Sequence, residues 1–113
     1  MSLKLHGWID WILIAAALPL PWILGFHVYE EATVYFLILA VAGLLLNALT
    51  NYPAGLIRKI PFSTHRLVEW STPPAFMIFP WISFSEAGLM PASITTLGLI
   101  IFLNATFVRP DRN

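Results

Sequence analysis

The chain has 113 residues, of which 58% are hydrophobic and 11% charged, and its six Lys and Arg are balanced by six Asp and Glu. That apolar share exceeds that of ordinary soluble domains and the charged share is under half of theirs, so lipid is the expected solvent, and four helices of about 20 residues would leave no room for a soluble catalytic domain. Zero net charge argues against nucleic acid as a partner, and the absence of cysteine excludes disulfides, thiolate metal sites and thiol nucleophiles.

Apolar segments run over residues 7–25, 32–52, 66–84 and 90–108, each close to the ~20 residues that cross ~30 Å of hydrocarbon as a helix. The first is expected to be a retained helix rather than a leader, because Asp10 interrupts the apolar run that a leader needs. With no alternating strand pattern and every backbone group needing a partner in lipid, the spans are expected to be helices. The connections are FHVYEEA, the longer NYPAGLIRKIPFST and FSEAGLMP, with Pro91 placed to open the last helix. Loops this short make neighbours antiparallel.

Lys4, Arg58, Lys59, Arg66, Arg109 and Arg112 all fall on one side of such a topology, and Glu30, Glu31 and Glu86 on the other. The positive-inside bias then places both termini and the middle loop in the cytoplasm, in what would be a bacterial inner membrane. Trp8, Trp11 and Trp70 fall near inner helix ends, and Trp22 and Trp81 near outer ends.

Offset by 59 residues, the first segment lies over the third: His6 on His65, Trp11 on Trp70, Ala16 on Ala75, and Pro21-Trp22-Ile23 on Pro80-Trp81-Ile82. These are six identities in 18 ungapped positions, where chance gives roughly one or two. Leu46-Asn47-Ala48 and Leu103-Asn104-Ala105 match at an offset of 57. The expectation is a single integral membrane domain over 1–113, with one repeat at 6–52, a second at 65–108 and a cytoplasmic connecting loop at 53–64. It is an all-α, four-transmembrane-helix bundle of two parallel-oriented helical hairpins, related by a pseudo-two-fold along the membrane normal. A two-helix unit carrying Pro-Trp and repeated in a small membrane protein resembles the SPW repeat family, with Leu20 and Phe79 standing where the serine would be. The resemblance implies two helices per unit and a multi-pass topology, and no activity.

The sharpest chemical feature is a pair of H-x-x-[IV]-[DE]-W segments, His6 with Asp10 and His65 with Glu69. A spacing of four puts each acid on the same helix face as its histidine. In the local reading each carboxylate neutralises its own histidine, with Arg66 a further partner of Glu69. In the functional reading the pairs converge across the pseudo-two-fold, so that His6, Asp10, His65 and Glu69 hold a divalent metal or pass a proton, or His6 and His65 ligate a haem. His27 falls in an outer loop and is expected to be solvated. Pro21 and Pro80, with Trp22 and Trp81, form the repeated structural motif and are expected to end their helices with a kink. Pro73-Pro74 removes two donors early in the third segment and frees carbonyls near Glu69 and Trp70, where a broken helix lining an ion path is an alternative, with no counterpart at Ile14-Ala15. Asn47 and Asn104 are expected to hydrogen-bond between helices.

No nucleophile elbow, phosphate loop or zinc-protease motif is present, so no enzymatic activity is expected. The expected role is an accessory or scaffold subunit that packs through its helices against lipid, itself or other subunits of a larger, energy-converting membrane complex. The alternatives are a metal- or haem-binding membrane protein centred on the histidine–acid pairs, and a small oligomeric transporter.

Overall fold

The computed structural model describes residues 1–110, so Arg112, counted above among the cations of one side, lies outside the described residues. Helix α1 (Leu3–Ala17) starts at Ser2, whose Oγ accepts the Leu5 N–H at 3.1 Å and so satisfies one of the free donors of the first turn. It stops at Ala17 because Pro19 and Pro21 bring no N–H back to the carbonyls of Ala15 and Ala17. The chain then makes the single turn α2 (Leu20–Ile23) and a 3₁₀ turn at Phe26–Val28. Helix α3 (Glu30–Leu49) carries two glutamates in its first turn, where carboxylates oppose the positive end of the helix dipole. It ends where Thr50 becomes extended. The short strands β1 (Thr50–Asn51) and β2 (Ile60–Pro61) pair in parallel, Thr50 opposite Ile60 and Asn51 opposite Pro61. Helices α4 (Phe62–Ser71), α5 (Pro73–Ser83) and α6 (Met90–Phe107) complete the chain.

The expected bundle of four transmembrane helices is therefore corrected. The structure is mostly helical with a small two-stranded parallel sheet, and among the described residues only α3 and α6 are long and apolar enough to cross a membrane. Prolines explain the difference. The segment expected at 7–25 is cut at Ala17, leaving an α1 of about 22 Å by its rise per residue that also carries Lys4, His6 and Asp10. The segment expected at 66–84 is cut at Thr72, because Pro73 and Pro74 offer no N–H to the carbonyls of Glu69 and Trp70. Its first half, α4, carries His65, Arg66 and Glu69 in ten residues.

Helices α3 and α6 run parallel. The C-terminal ends of both meet α1 and α4, where His65 reaches Thr50 and His6 reaches Asn104. At the far end, Phe26 and Tyr29 lie against Gly88. The molecule is elongated, 43 × 22 × 19 Å. Its apolar core, built from Phe26, Ala32, Phe36, Ala87, Met90 and Ile94, occupies the far half. Helix α5 lies tightly on α6 at Gly98, where a Cβ would sit 2.5 Å from Met77 Cγ and 2.9 Å from the Phe76 ring. The usual burial pattern is inverted along the flanks. Val34, Ile38, Val41 and Leu45 on α3 and Leu99, Leu103 and Phe107 on α6 are exposed, while His6, Asp10, Asn47, Thr50, His65 and Asn104 are buried.

Candidate metal centre

Helices α1 and α4 bring their four polar side chains to one point. His6 Nε2 lies 3.2 Å from Asp10 Oδ2 and 2.9 Å from Glu69 Oε1, and His65 Nε2 lies 3.0 Å from Asp10 Oδ2 and 2.6 Å from Glu69 Oε1. The contacts close a ring in which nitrogen and oxygen alternate. One ligand atom from each of the four residues falls within 4.8 Å of all the others, and all four residues are buried. The edges of 2.6–3.2 Å are somewhat shorter than the roughly 3.3 Å between the ligand atoms of a tetrahedral zinc with ~2 Å bonds, so the four side chains would hold such an ion by moving slightly apart.

The surrounding residues fix both histidine tautomers. His6 Nδ1 lies 3.1 Å from the backbone carbonyl of Asn104, which can only accept, so Nδ1 carries the hydrogen. His65 Nδ1 lies 2.6 Å from Thr50 Oγ1, and that hydroxyl donates to the Leu46 carbonyl at 2.5 Å. A hydroxyl has one hydrogen, so His65 Nδ1 is also the donor. Each imidazole thus turns Nε2 toward the carboxylates, the arrangement in which a histidine ligates metal with its second nitrogen anchored outside the first ring of contacts. Asp10 is held from two more sides, accepting from Asn104 Nδ2 at 3.0 Å and from the Tyr52 hydroxyl at 3.4 Å. Phe62 stacks on His65 and meets His6 edge-on, and Tyr52 stacks on Phe62. The loop carrying Tyr52 can close over α1 only because residue 7 is glycine: a Cβ there would lie 2.5 Å from Ala54 Cβ and 3.1 Å from the Tyr52 ring.

Burial opposes charge on the histidines, but hydrogen bonds to Asp10 and Glu69 and the charges of both carboxylates outweigh it, holding His6 and His65 above the ordinary histidine value. Burial would likewise raise Asp10, and hydrogen bonds from His6 and His65 hold it low instead. Burial, with the two carboxylates, pushes the Tyr52 hydroxyl up and keeps it a donor. Two imidazolium ions and two carboxylates sum to zero. So do two neutral imidazoles, two carboxylates and one divalent cation.

The structure brings together all four residues of the expected metal set and adds cross-pairing to the local pairing. Arg66 does not pair with Glu69. Its guanidinium caps the end of α6, donating to the carbonyls of Ala105 at 2.9 Å and Thr106 at 3.4 Å. The histidine nitrogens are flanked by carboxylate oxygens at 2.6–3.2 Å, which leaves no width for a haem between them. His27 stacks on Trp22, with Nδ1 3.3 Å from the Pro21 carbonyl. Pro21 and Pro80 are buried far from the cluster. The ring N–H of Trp81 donates to Thr95 at 2.8 Å. Asn104 bonds across helices, to the His6 carbonyl as well as to Asp10. The buried Asn47 Nδ2 has no partner among the described residues.

Sequence reasoning missed Thr50, Tyr52 and Phe62. The only signal was the run Thr50-Asn51-Tyr52 directly after an apolar helix, polar groups where a chain leaves one element to close on another. Comparison of the chain with family models, curated proteins and solved structures finds no match.

Proposed function

We propose that the chain is a membrane-embedded protein that binds one first-row divalent cation at His6, Asp10, His65 and Glu69, and that the ion ties α1 to α4 at the end where α3 and α6 finish. The observation that carries this reading is the anchoring of both Nδ1–H groups, which aims two Nε2 atoms at two carboxylates. Nitrogen–oxygen donor sets of this kind suit zinc and its first-row neighbours. Four protein ligands with no open position are typical of structural rather than catalytic zinc sites. Exchanging two protons for one divalent ion leaves the buried charge at zero, so binding carries no added penalty for burying charge. Placement in a membrane is supported by the exposed aliphatic flanks of α3 and α6 beside a buried polar cluster. The same flanks support a second reading, in which the metal-tied protein packs as an accessory subunit in a larger membrane assembly, checked by co-purification from native membranes.

Elemental analysis of detergent-purified protein loaded with zinc and freed of excess is expected to give one ion per chain. Cobalt in its place is expected to show the visible absorption of a four-coordinate site. The His6→Ala, His65→Ala double variant should lose the ion, and Thr50→Val should weaken binding by about 10- to 100-fold, the range for losing an outer partner of a ligand. Absence of stoichiometric zinc, cobalt, manganese or nickel in the wild-type protein, or equal binding by the double variant, overturns the reading.

A further inference from the structure

A cavity of about 370 Å³ lies between α1 and α3 on one side and α4, α5 and α6 on the other. Asp10, Asn47 and Glu69 line it at the metal-site end; Ala17, Phe36 and Ile94 line it toward the apolar core. An apolar cavity of about 150 Å³ stays dry and takes up benzene, so this one is large enough for a body of two fused rings. Its opening is lateral: Ala42 on α3 and Thr72 at the break between α4 and α5 both line the cavity and are both exposed. Exposed Val41 and Leu45 flank Ala42, so the approach is apolar as well.

Two polar atoms at the inner end take part in no hydrogen bond among the described residues. Asn47 is 2% exposed, and its Nδ2 donates to nothing among the described residues. Glu69 engages both histidines through Oε1, and no hydrogen bond from the described residues reaches its Oε2. An unpartnered buried amide costs about 1–3 kcal/mol and calls for an explanation. An unfilled donor and an acceptor on two residues that line the same cavity are complementary to a hydroxyl, which accepts one hydrogen bond and donates another.

We propose that this cavity binds an apolar alcohol or phenol, its hydroxyl accepting from Asn47 Nδ2 and donating to Glu69 Oε2, with its hydrocarbon body among Ala17, Phe36 and Ile94. The site shares Glu69 with the metal reading but does not rest on that reading. Oε2 is the Glu69 oxygen that the histidines do not use, and the donor, Asn47, belongs to no ligand set.

Three probes of one body size test the claim: 1-naphthol, which donates and accepts; 1-methoxynaphthalene, which only accepts; and naphthalene, which does neither. Each is titrated into the protein in detergent micelles against protein-free micelles, with the Asn47 side-chain amide followed by NMR. One 1-naphthol per chain is expected, bound about tenfold more tightly than naphthalene, with 1-methoxynaphthalene between them and the Asn47 amide resonance moving on binding. Asn47→Leu should bring 1-naphthol and naphthalene to equal affinity, and Ala40→Phe, which fills the cavity, should abolish saturable binding of all three. Equal affinities in the wild-type protein overturn the proposal, as does an unmoved Asn47 amide, which would leave water as the occupant. If either variant fails to fold, the wild-type series alone decides. Metal content is measured in every sample, so loss of probe binding with zinc retained is distinguished from collapse of the metal site.

Discussion

At one end of the molecule His6, Asp10, His65 and Glu69 share four short contacts around one point; at the other Phe26, Phe36, Ala87 and Met90 pack without a charge among them. The apolar end is specified by volume, and its contribution to stability is the same whatever ions are present. On the proposed reading the polar end depends on which cation neutralises the two carboxylates, a pair of protons or a metal. One fold therefore has an unconditional half and a conditional half, and substitutions should separate them.

The largest effect is expected at Asp10, which accepts from His6, His65, Asn104 and Tyr52 at once. Asp10→Asn removes the charge facing two imidazoles and should cost about 3–5 kcal/mol, the range for breaking a buried ion pair from one side. Zinc should no longer bind in stoichiometric amount. Chemical denaturation with and without a chelator measures both: a variant whose stability still rises on adding zinc would break the comparison, because the polar end would then not be the conditional one. At the other end Phe36, 3% exposed and edge-on to Phe26 at 5.2 Å, should cost about 3 kcal/mol when truncated to Ala. Its zinc stoichiometry should stay at one, and loss of the ion there would show that the two halves are coupled.

A smaller effect follows from pH. Burial disfavours protonated His6 and His65, but hydrogen bonds to Asp10 and Glu69 raise them from 6.5 to about 10 and about 8. Because these values are raised, the histidine contribution is complete below about pH 6.5 and is lost as pH climbs through 8 and then 10. For Asp10, burial is outweighed by the bonds from His6 and His65, and its value falls from 3.8 to about 2. Its contribution is therefore present above about pH 4 and lost as pH falls toward 2. Between pH 7 and 9 the metal-free protein should lose stability while zinc binds more tightly, since the ion replaces departing protons. Zinc affinity that stays flat across this interval would mean that no proton is displaced.

Much of the polar end was legible in the chain. The spacing of four placed each acid on its histidine's helix face, and the shared H-x-x-[IV]-[DE]-W pattern pointed to the two pairs together. What the pattern could not carry was the cross-pairing, or the contributions of Thr50 and Tyr52, which come from the segment between the pairs and depend on how β1 and β2 fold it back. The fold was harder to read because the length of an apolar run does not register where its helix stops. The missing donors of Pro73 and Pro74 were visible, yet the run around them still counted as one span; Pro19 and Pro21 together end α1 at Ala17, earlier than a kink at the last turn would. Prolines remove donors one at a time, and which loss ends a helix depends on what else reaches the freed carbonyl.

Pro80 shows that dependence and gives the smallest prediction. It sits inside α5 without ending it, although it cannot donate to the carbonyl of Phe76. Tyr35, reaching over from α3, donates its hydroxyl to that carbonyl at 3.3 Å, replacing the missing backbone bond, and its ring stacks on Phe79 at 5.3 Å. Tyr35→Phe keeps the ring and deletes the donor, so the expected cost is about 1 kcal/mol, that of one net hydrogen bond, with zinc affinity unchanged. Hydrogen exchange should locate the loss in α5, between Phe76 and Phe84. A loss spread evenly over α1 and α4 would show that this polar contact of the apolar half reaches the polar end, and that the two halves do not stand independently.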